Sequence, residues 1–231
     1  MGGLHNIDPN GLIVIGGGGH GLVVGEAAAL AGIAVAGVMD DRADPPAACR
    51  GDHSMPWLGP IRAEQRPWIL GIGDVVARRV VLGRFSEILA RAASVVHPRA
   101  IVSPSANLGR GVFVGPGAIV HGRARVGDHA IINSGAIVEH DCDIGENSHI
   151  APGTVLGGAA RIGRDSLVGL GSAVLPGIWI GDRCVVGAGA LVLHNIPDGS
   201  VVVGMPAKAM APRPVAPPPP PPSTPTSRGF A

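Results

Sequence analysis

The 231-residue chain contains no tyrosine and only three tryptophans and three phenylalanines. A core with so few large rings must be filled by small and β-branched side chains brought close together. Cysteine is scarce as well: Cys49, Cys142 and Cys184 share no CxxC spacing, and an odd number leaves at least one thiol unpaired. No disulfide framework is expected, and the thiols read as small buried hydrophobes. A net charge of +1 supplies no field to attract nucleic acid or an anionic membrane. Apolar residues make up 46% of the chain, yet their runs are short and nothing approaches the ~20 residues a membrane-spanning helix needs. The opening MGGLHNIDPNG has no basic stretch followed by an apolar one. No membrane insertion, no secretory leader and a cytoplasmic location are the expectations.

What the chain does have is glycine, 37 of them, and a repeat. From Val96 to Val192, every sixth residue is aliphatic, seventeen positions without a slip in phase. Four residues after each aliphatic the side chain is usually small, as at Ala118, Ala136, Cys142, Ser148 and Cys184, and Gly often follows the aliphatic directly, as at Gly127, Gly145 and Gly163. Neither the 3.6-residue period of a helix nor the two-residue period of a strand explains a strict six. Short strands joined by turns do: one aliphatic and one small residue face inward per strand, and three such faces, one hexad each, close a triangular coil. Coils stacked about 4.8 Å apart pair every backbone group with the coil above or below. The array makes between five and six coils of parallel β-helix over residues 93–210.

Residues 1–92 follow other rules. A buried strand over Leu12 to Ile15, a glycine loop, an Ala-rich helix over Leu22 to Ala31 and a strand over Ala34 to Met39 read as a Rossmann-like βαβ unit. The glycine turn, with Gly16, Gly19 and Gly21 about His20, precedes a helix N-terminus, where free N–H groups and the positive dipole end hold phosphate. Asp40 and Asp41 close the second strand, where an acid can meet a ribose or base. WILGIGDVVARRVVLGRF repeats the logic with Gly71, Gly73 and a helix from about Asp74. The Pro-rich segment between reads as an irregular connection, with His53 and Trp57 as surface and packing residues. The phase breaks at HNIPDGSVVVGMPAK, read as a loop leaving the coil stack and a strand closing its end. Residues 211–231, mostly Pro, Ser, Thr and Ala, offer no core and read as a disordered tail.

One stretch concentrates charge: AIVEHDCDIGENSHIAPG, residues 136–153. In hexad phase Val138 and Cys142 point inward, so Glu139, His140 and Asp141 stand outside near a turn. A neutral imidazole can accept a proton near pH 7, and an adjacent carboxylate can fix its tautomer. His97, His121, His129 and His194 read as polar outer positions.

The Gly-His-Gly loop, the paired Asp40 and Asp41, the hexapeptide array, NSGAIVEHDCDIGENSHIAPG and the closing GMPAK together resemble the sialic-acid- and bacillosamine-synthesis group of sugar acyltransferases over roughly residues 11 to 210. The resemblance implies a left-handed parallel β-helix, a homotrimer, acetyl-CoA as co-substrate without a metal, and a nucleotide-linked 4-amino-4,6-dideoxy sugar as acceptor. It implies His140 as the base and Asp141 as its orienter. The sugar nucleotide is expected at Gly16, Gly19, His20, Gly21, Asp40, Asp41, Gly73, Asn133 and Glu139, and acetyl-CoA at His149, Gly158, Ala188 and Lys208, with His149 also serving as an oxyanion donor.

Three alternatives stay open at this point. One is O-acetylation of a sialic-acid-like sugar, and another is a non-catalytic nucleotide-binding scaffold. The third is a zinc carbonic anhydrase, which wants two histidines typically five residues apart plus a third. His121, His129, His140 and His149 are separated by eight, eleven and nine, which does not suit it.

Overall fold

A computed structural model describes residues 7–51, 54–62, 65–84 and 86–210. His53 and the Pro-rich tail lie outside them.

The N-terminal part is a three-stranded parallel sheet in the order β2-β1-β3, formed by β1 (Ile7–Ile15), β2 (Val35–Met39) and β3 (Trp68–Leu70). Over Leu12–Ile15 and in β2 and β3 the residues are near-continuous apolar runs because both faces are covered. Helix α1 (Gly19–Leu30) covers one face and α2 (Val75–Arg84) the other. Helix α1 begins three residues before the expected Leu22, on the glycine loop itself, with Gly18 as N-cap. Its side chains are mostly Ala, Val and Gly, so it fits between the sheet and the β-helix, sharing a core with Val95, Phe113 and Ile131. Asp74 accepts the N–H of Ala77 at 2.7 Å and so caps the start of α2.

From Val95 onward, two-residue strands form three parallel faces. Face one begins at Val95–Val96 and recurs at every third hexad through Phe113–Val114, Ile131–Ile132, His149–Ile150, Leu167–Val168 and Val185–Val186. Face two runs from Ile101–Val102 to Leu191–Val192, and face three from Asn107–Leu108 to Trp179–Ile180. The aliphatic hexad residues fill the interior, and Val114, Val120, Ile132, Val138, Ile150 and Leu156 are completely buried. The small residues four places on do more than leave room. Ser148, Thr154, Ser166 and Ser172 each donate a hydroxyl to a glycine carbonyl on the next coil, Gly163, Gly169, Gly181 and Gly187, at 2.7–3.0 Å. Glycine after the aliphatic reflects the tight stacking of turns: a Cβ on Gly145 would lie 2.4 Å from the Arg164 nitrogen.

The end of the stack departs from expectation. The chain does not leave the coil after Val192. It completes one more, shorter coil, pairing Val186 with Val202 and bridging Ile180 to Ile196, both in parallel. Lys208–Ala209 then runs antiparallel to Val201–Val203 and closes the stack.

Helix α2 is stitched to the turn joining face three to face one. The completely buried Arg78 donates Nε to Asn147 Oδ1 at 2.8 Å and Nη2 to the His129 carbonyl at 2.7 Å. Asn147 returns a bond to the Val75 carbonyl at 3.0 Å. His129 stacks on Trp68 with centroids 5.6 Å apart, which accounts for it as a packing residue. Burial pulls the Arg78 guanidinium down to about 9, still charged at neutral pH. Removing one member of a buried polar network strands its partners. Arg78→Ala should therefore cost about 3 kcal/mol of stability, read as a lowered denaturation midpoint.

Candidate active site

The two halves of the candidate site lie on different sides of the coil. The Glu139–Cys142 turn joins face two to face three, so it stands at the vertex opposite face one. There the His140 Nδ1 lies 2.7 Å from Asp141 Oδ2. A carboxylate can only accept, so Nδ1 carries the proton and Nε2 keeps its lone pair for a substrate. The ring rests on the next coil: a Cβ on Gly158 would come within 2.8 Å of His140 Cε1 and Nε2. Gly158 is thus the floor beneath the imidazole. Asp141 has left-handed backbone, φ 62°, a region that Asp tolerates better than most residues. Its carboxyl is held well below the usual carboxylate range, first by Arg123 and then by His140. Aspartate, though short, reaches the ring. Glu139 sits beside this pair, half-buried, with one carboxylate oxygen 3.7 Å from His121 Nε2.

On the face-one side a cavity of about 370 Å³ opens over the glycine loop. Gly16, Gly18, Gly19, His20, Asp40, Asp41, Arg42, Ile61 and Gly73 are among its lining residues. Six of the residues expected to meet the sugar nucleotide are therefore together. Gly21 is not among them; a Cβ there would meet the Gly16 carbonyl oxygen at 2.1 Å, so its task is to let helix and loop touch. Asp40 is largely committed within the chain, Oδ2 accepting the Gly17 N–H at 2.7 Å and Oδ1 the Arg42 N–H at 3.0 Å. It braces the loop. Asp41 accepts Arg84 Nη1 at 2.8 Å and the Ile61 N–H at 2.9 Å, and these bonds hold its carboxyl below the usual range. The first-turn N–H groups of α1 have no carbonyl partner within the helix, and no acidic side chain occupies that turn, so the loop is suited to an anion.

A second, more apolar cavity of about 630 Å³ adjoins it, sharing Gly73 and Asp74 and lined by Val76, Val80, Pro152, Leu167, Leu170 and Val185 around His149. The histidine is the hinge-pin between the cavities. Its Nδ1 donates to the Gly73 carbonyl at 2.9 Å, which leaves Nε2 to accept from Asn133 Nδ2 at 3.0 Å. Asn133 is oriented in turn because its Oδ1 takes the Ser134 N–H at 2.8 Å. Both imidazole nitrogens are spent, so the oxyanion role expected of His149 finds no free N–H here; what the ring offers a bound molecule is its edge. Asn133 supports His149. His20, edge-on to Phe113 at 5.4 Å, lies 6.2 Å from the His149 ring, and its Nε2 has no hydrogen-bond partner among the described residues. Ala188 and Lys208 are exposed near the closing end and line neither cavity. Among the described residues no group of three or more His, Cys, Asp or Glu side chains gathers as metal ligands would, and no helix is long and apolar enough to cross a membrane.

Comparison with known proteins places both parts of the chain in known families. Residues 11–85 match the PglD N-terminal domain, 123–158 the bacterial transferase hexapeptide family and 159–193 the hexapeptide repeat of succinyl-transferase. PerB from Caulobacter crescentus, solved with CoA and GDP-perosamine, is 34% identical, with a TM-score of 0.76 over 87% of this chain and 97% of its own. The acetyltransferase domain of PglB from Neisseria gonorrhoeae, solved with acetyl coenzyme A, is also 34% identical, with a TM-score of 0.78 over 86% and 98%. The chain belongs to this family of nucleotide-sugar N-acetyltransferases. WeeI from Acinetobacter baumannii, 22% identical over 86% and 99% with a TM-score of 0.72, shares the fold. No match is found among curated proteins.

In this N-acetyltransferase the sequence reading overlooked Arg123, Arg42 and the Arg78 network. A signal for Arg123 existed: it stands three hexads before Asp141, one coil below it. Burial lowers both His149 and His20 to about 4, so both are neutral in the folded enzyme at pH 7. Histidines depressed below the unfolded value of 6.5 lend stability that is present above that pH and lost as pH falls toward 4. Acid titration of unfolding should show this slope, and His149→Gln should flatten it.

Proposed function

We propose that the chain moves the acetyl group of acetyl-CoA to the 4-amino group of a nucleotide-linked 4-amino-4,6-dideoxy sugar, with His140 as general base. The observation that carries this is the His140–Asp141 contact at 2.7 Å over the Gly158 floor, in a chain that also holds an anion-suited cavity of about 370 Å³. The amine attacks the thioester carbonyl carbon and forms the C–N bond. Its proton passes to His140 Nε2, Asp141 steadies the imidazolium, and the C–S bond breaks to release the CoA thiol, which takes up the proton. The glycine loop holds the diphosphate, and the apolar cavity beside His149 suits the pantetheine arm. The complexes of PerB with CoA and GDP-perosamine and of the PglB domain with acetyl coenzyme A support both substrate classes.

Two observations support a homotrimer. First, a triangular side of six residues at about 3.3 Å each spans roughly 20 Å, and His140 occupies the vertex opposite the face that bears both cavities. No single subunit brings them together. Second, the outward column of face two is apolar throughout: Ile101, Ile119, Ile137, Val155, Ala173 and Leu191. The corresponding column of face three reads Asn107, Arg125, Asp143, Arg161 and Trp179. Exposed Leu170 and Leu175 flank face two on its opposite edges. A head-to-tail three-fold contact across this face sets one subunit's His140 edge against its neighbour's Asn133 edge, beside His149.

Thiol release from acetyl-CoA should be seen with one or more of the UDP-, GDP- and dTDP-linked 4-amino sugars, with free amino sugars and sialic acid as controls. Turnover of none of the nucleotide-linked sugars removes the reading. His140→Ala should lower kcat roughly 10²–10⁴-fold, and full activity in that variant removes the mechanism. Val155→Lys places a charge mid-column on face two; sedimentation velocity should then show monomer, and activity should fall with it.

A further inference from the structure

We propose that Arg123 is a positioning residue for the proton transfer, clamping the Asp141 carboxylate in the one orientation that meets His140 while offsetting its charge. The inference rests on the reading of His140 as the base. Arg123 and Asp141 occupy the same turn position on successive coils, both with left-handed backbone, φ 58° and 62°. The guanidinium forks onto the carboxylate: Nε donates to Oδ1 at 2.6 Å and Nη2 to Oδ2 at 2.8 Å. Oδ2 is the same oxygen that faces His140 Nδ1 at 2.7 Å. Arg123 is itself anchored one coil further down, where its N–H meets Ser105 Oγ at 3.2 Å and Ser105 Oγ lies 3.3 Å from Ser103 Oγ. A line of contacts therefore runs up this vertex from Ser105 through Arg123 and Asp141 to the ring.

The bland alternative is an exposed ion pair between coils, a class that contributes little to stability. Arg125–Asp143 and Arg164–Asp182 are such pairs on successive coils. Neither carboxylate is shared with an imidazole among the described residues, whereas that of Asp141 is. The fork has two consequences. Geometrically, Asp141 is too short to hold its carboxylate by packing, and a bidentate guanidinium leaves it one plane. Electrostatically, a carboxylate shared with a guanidinium draws a proton onto a neighbouring ring less strongly than a bare one does. Other charged or titratable groups near the ring are few. Glu139 lies on the same turn, His121 stands with Arg123 on the preceding coil, and the following coil supplies only Gly157, Gly158 and Ala159.

The two consequences separate in the pH dependence of kcat/KM. Relative to wild type, Arg123→Gln should move the acid limb upward by about half to one pH unit and lower the plateau about tenfold. Arg123→Lys, which returns charge without the fork, should restore the limb and leave the plateau depressed. In Asp141→Asn the Arg123→Gln change should have little further effect, because the carboxylate it acts on is gone. Circular dichroism and thermal melts, expected unchanged at this exposed position, confirm that each variant is folded. Profiles of folded Arg123→Gln that superimpose on wild type in both limb and plateau overturn the proposal while leaving His140 as base. A fully active His140→Ala overturns the base itself, and the role of Arg123 with it.

Discussion

The backbone ladder between each residue and its counterpart one coil on is the constraint on which this protein is built. Each two-residue strand is too short to be stable alone, and all but those at the ends of the stack are paired above and below along their face. The register cannot slip by one residue without turning every inward Val or Ile outward. Once the ladder is set, residues three hexads apart are stacked in columns, and each column has its own character. The floor under His140, the clamp on Asp141 and the apolar stripe of face two are all products of columns. Chemistry that looks scattered along the chain is gathered by one repeated spacing.

The second organising contact joins the sheet domain to the coil. Arg78 is buried with no carboxylate bonded to it among the described residues, held by Asn147 and two backbone carbonyls. Asn147 has φ 57°, a region that Asn tolerates better than most residues with a side chain, so one residue both makes the turn and supplies the side chain that receives α2. Beside it His149 joins the Gly73 loop to the Asn133 turn. Burial keeps that ring neutral, and neutrality is what lets one nitrogen donate while the other accepts. The two cavities meet at Gly73, so the joint between domains is also the wall between the expected sugar-nucleotide and thioester sites.

Much of this was legible beforehand. The hexads announce their own fold because an aliphatic every six residues has no helical or simple-strand explanation, and the glycine loop with Asp40 and Asp41 marks the cavity of the N-terminal sheet. Legibility stopped where a residue's partner lay in another coil or another domain. Asp40 reads as a contact for a ribose or base; in the fold it lines the cavity while its carboxylate ties down Gly17 and Arg42. Gly21 reads as part of a phosphate loop, yet it permits helix packing. His149 reads as a free donor, and both nitrogens are taken. The break after Val192 reads as an exit, although Ile196 and Val202 keep the ladder going with a shorter coil.

The sequence by itself determined the coil, because inward residues recur at a period that only one kind of backbone path can bury. It also set a carboxylate directly after His140, although the adjacent Asp128–His129 pair makes no such contact and only the fold separates the two cases. Only the tertiary structure decided that His140 stands at the vertex opposite both cavities, that Arg123 holds its partner, and that face two is left bare and apolar. Those facts depend on which of three faces a residue joins, and that is set by counting coils in space and by where α1 and α2 come to rest.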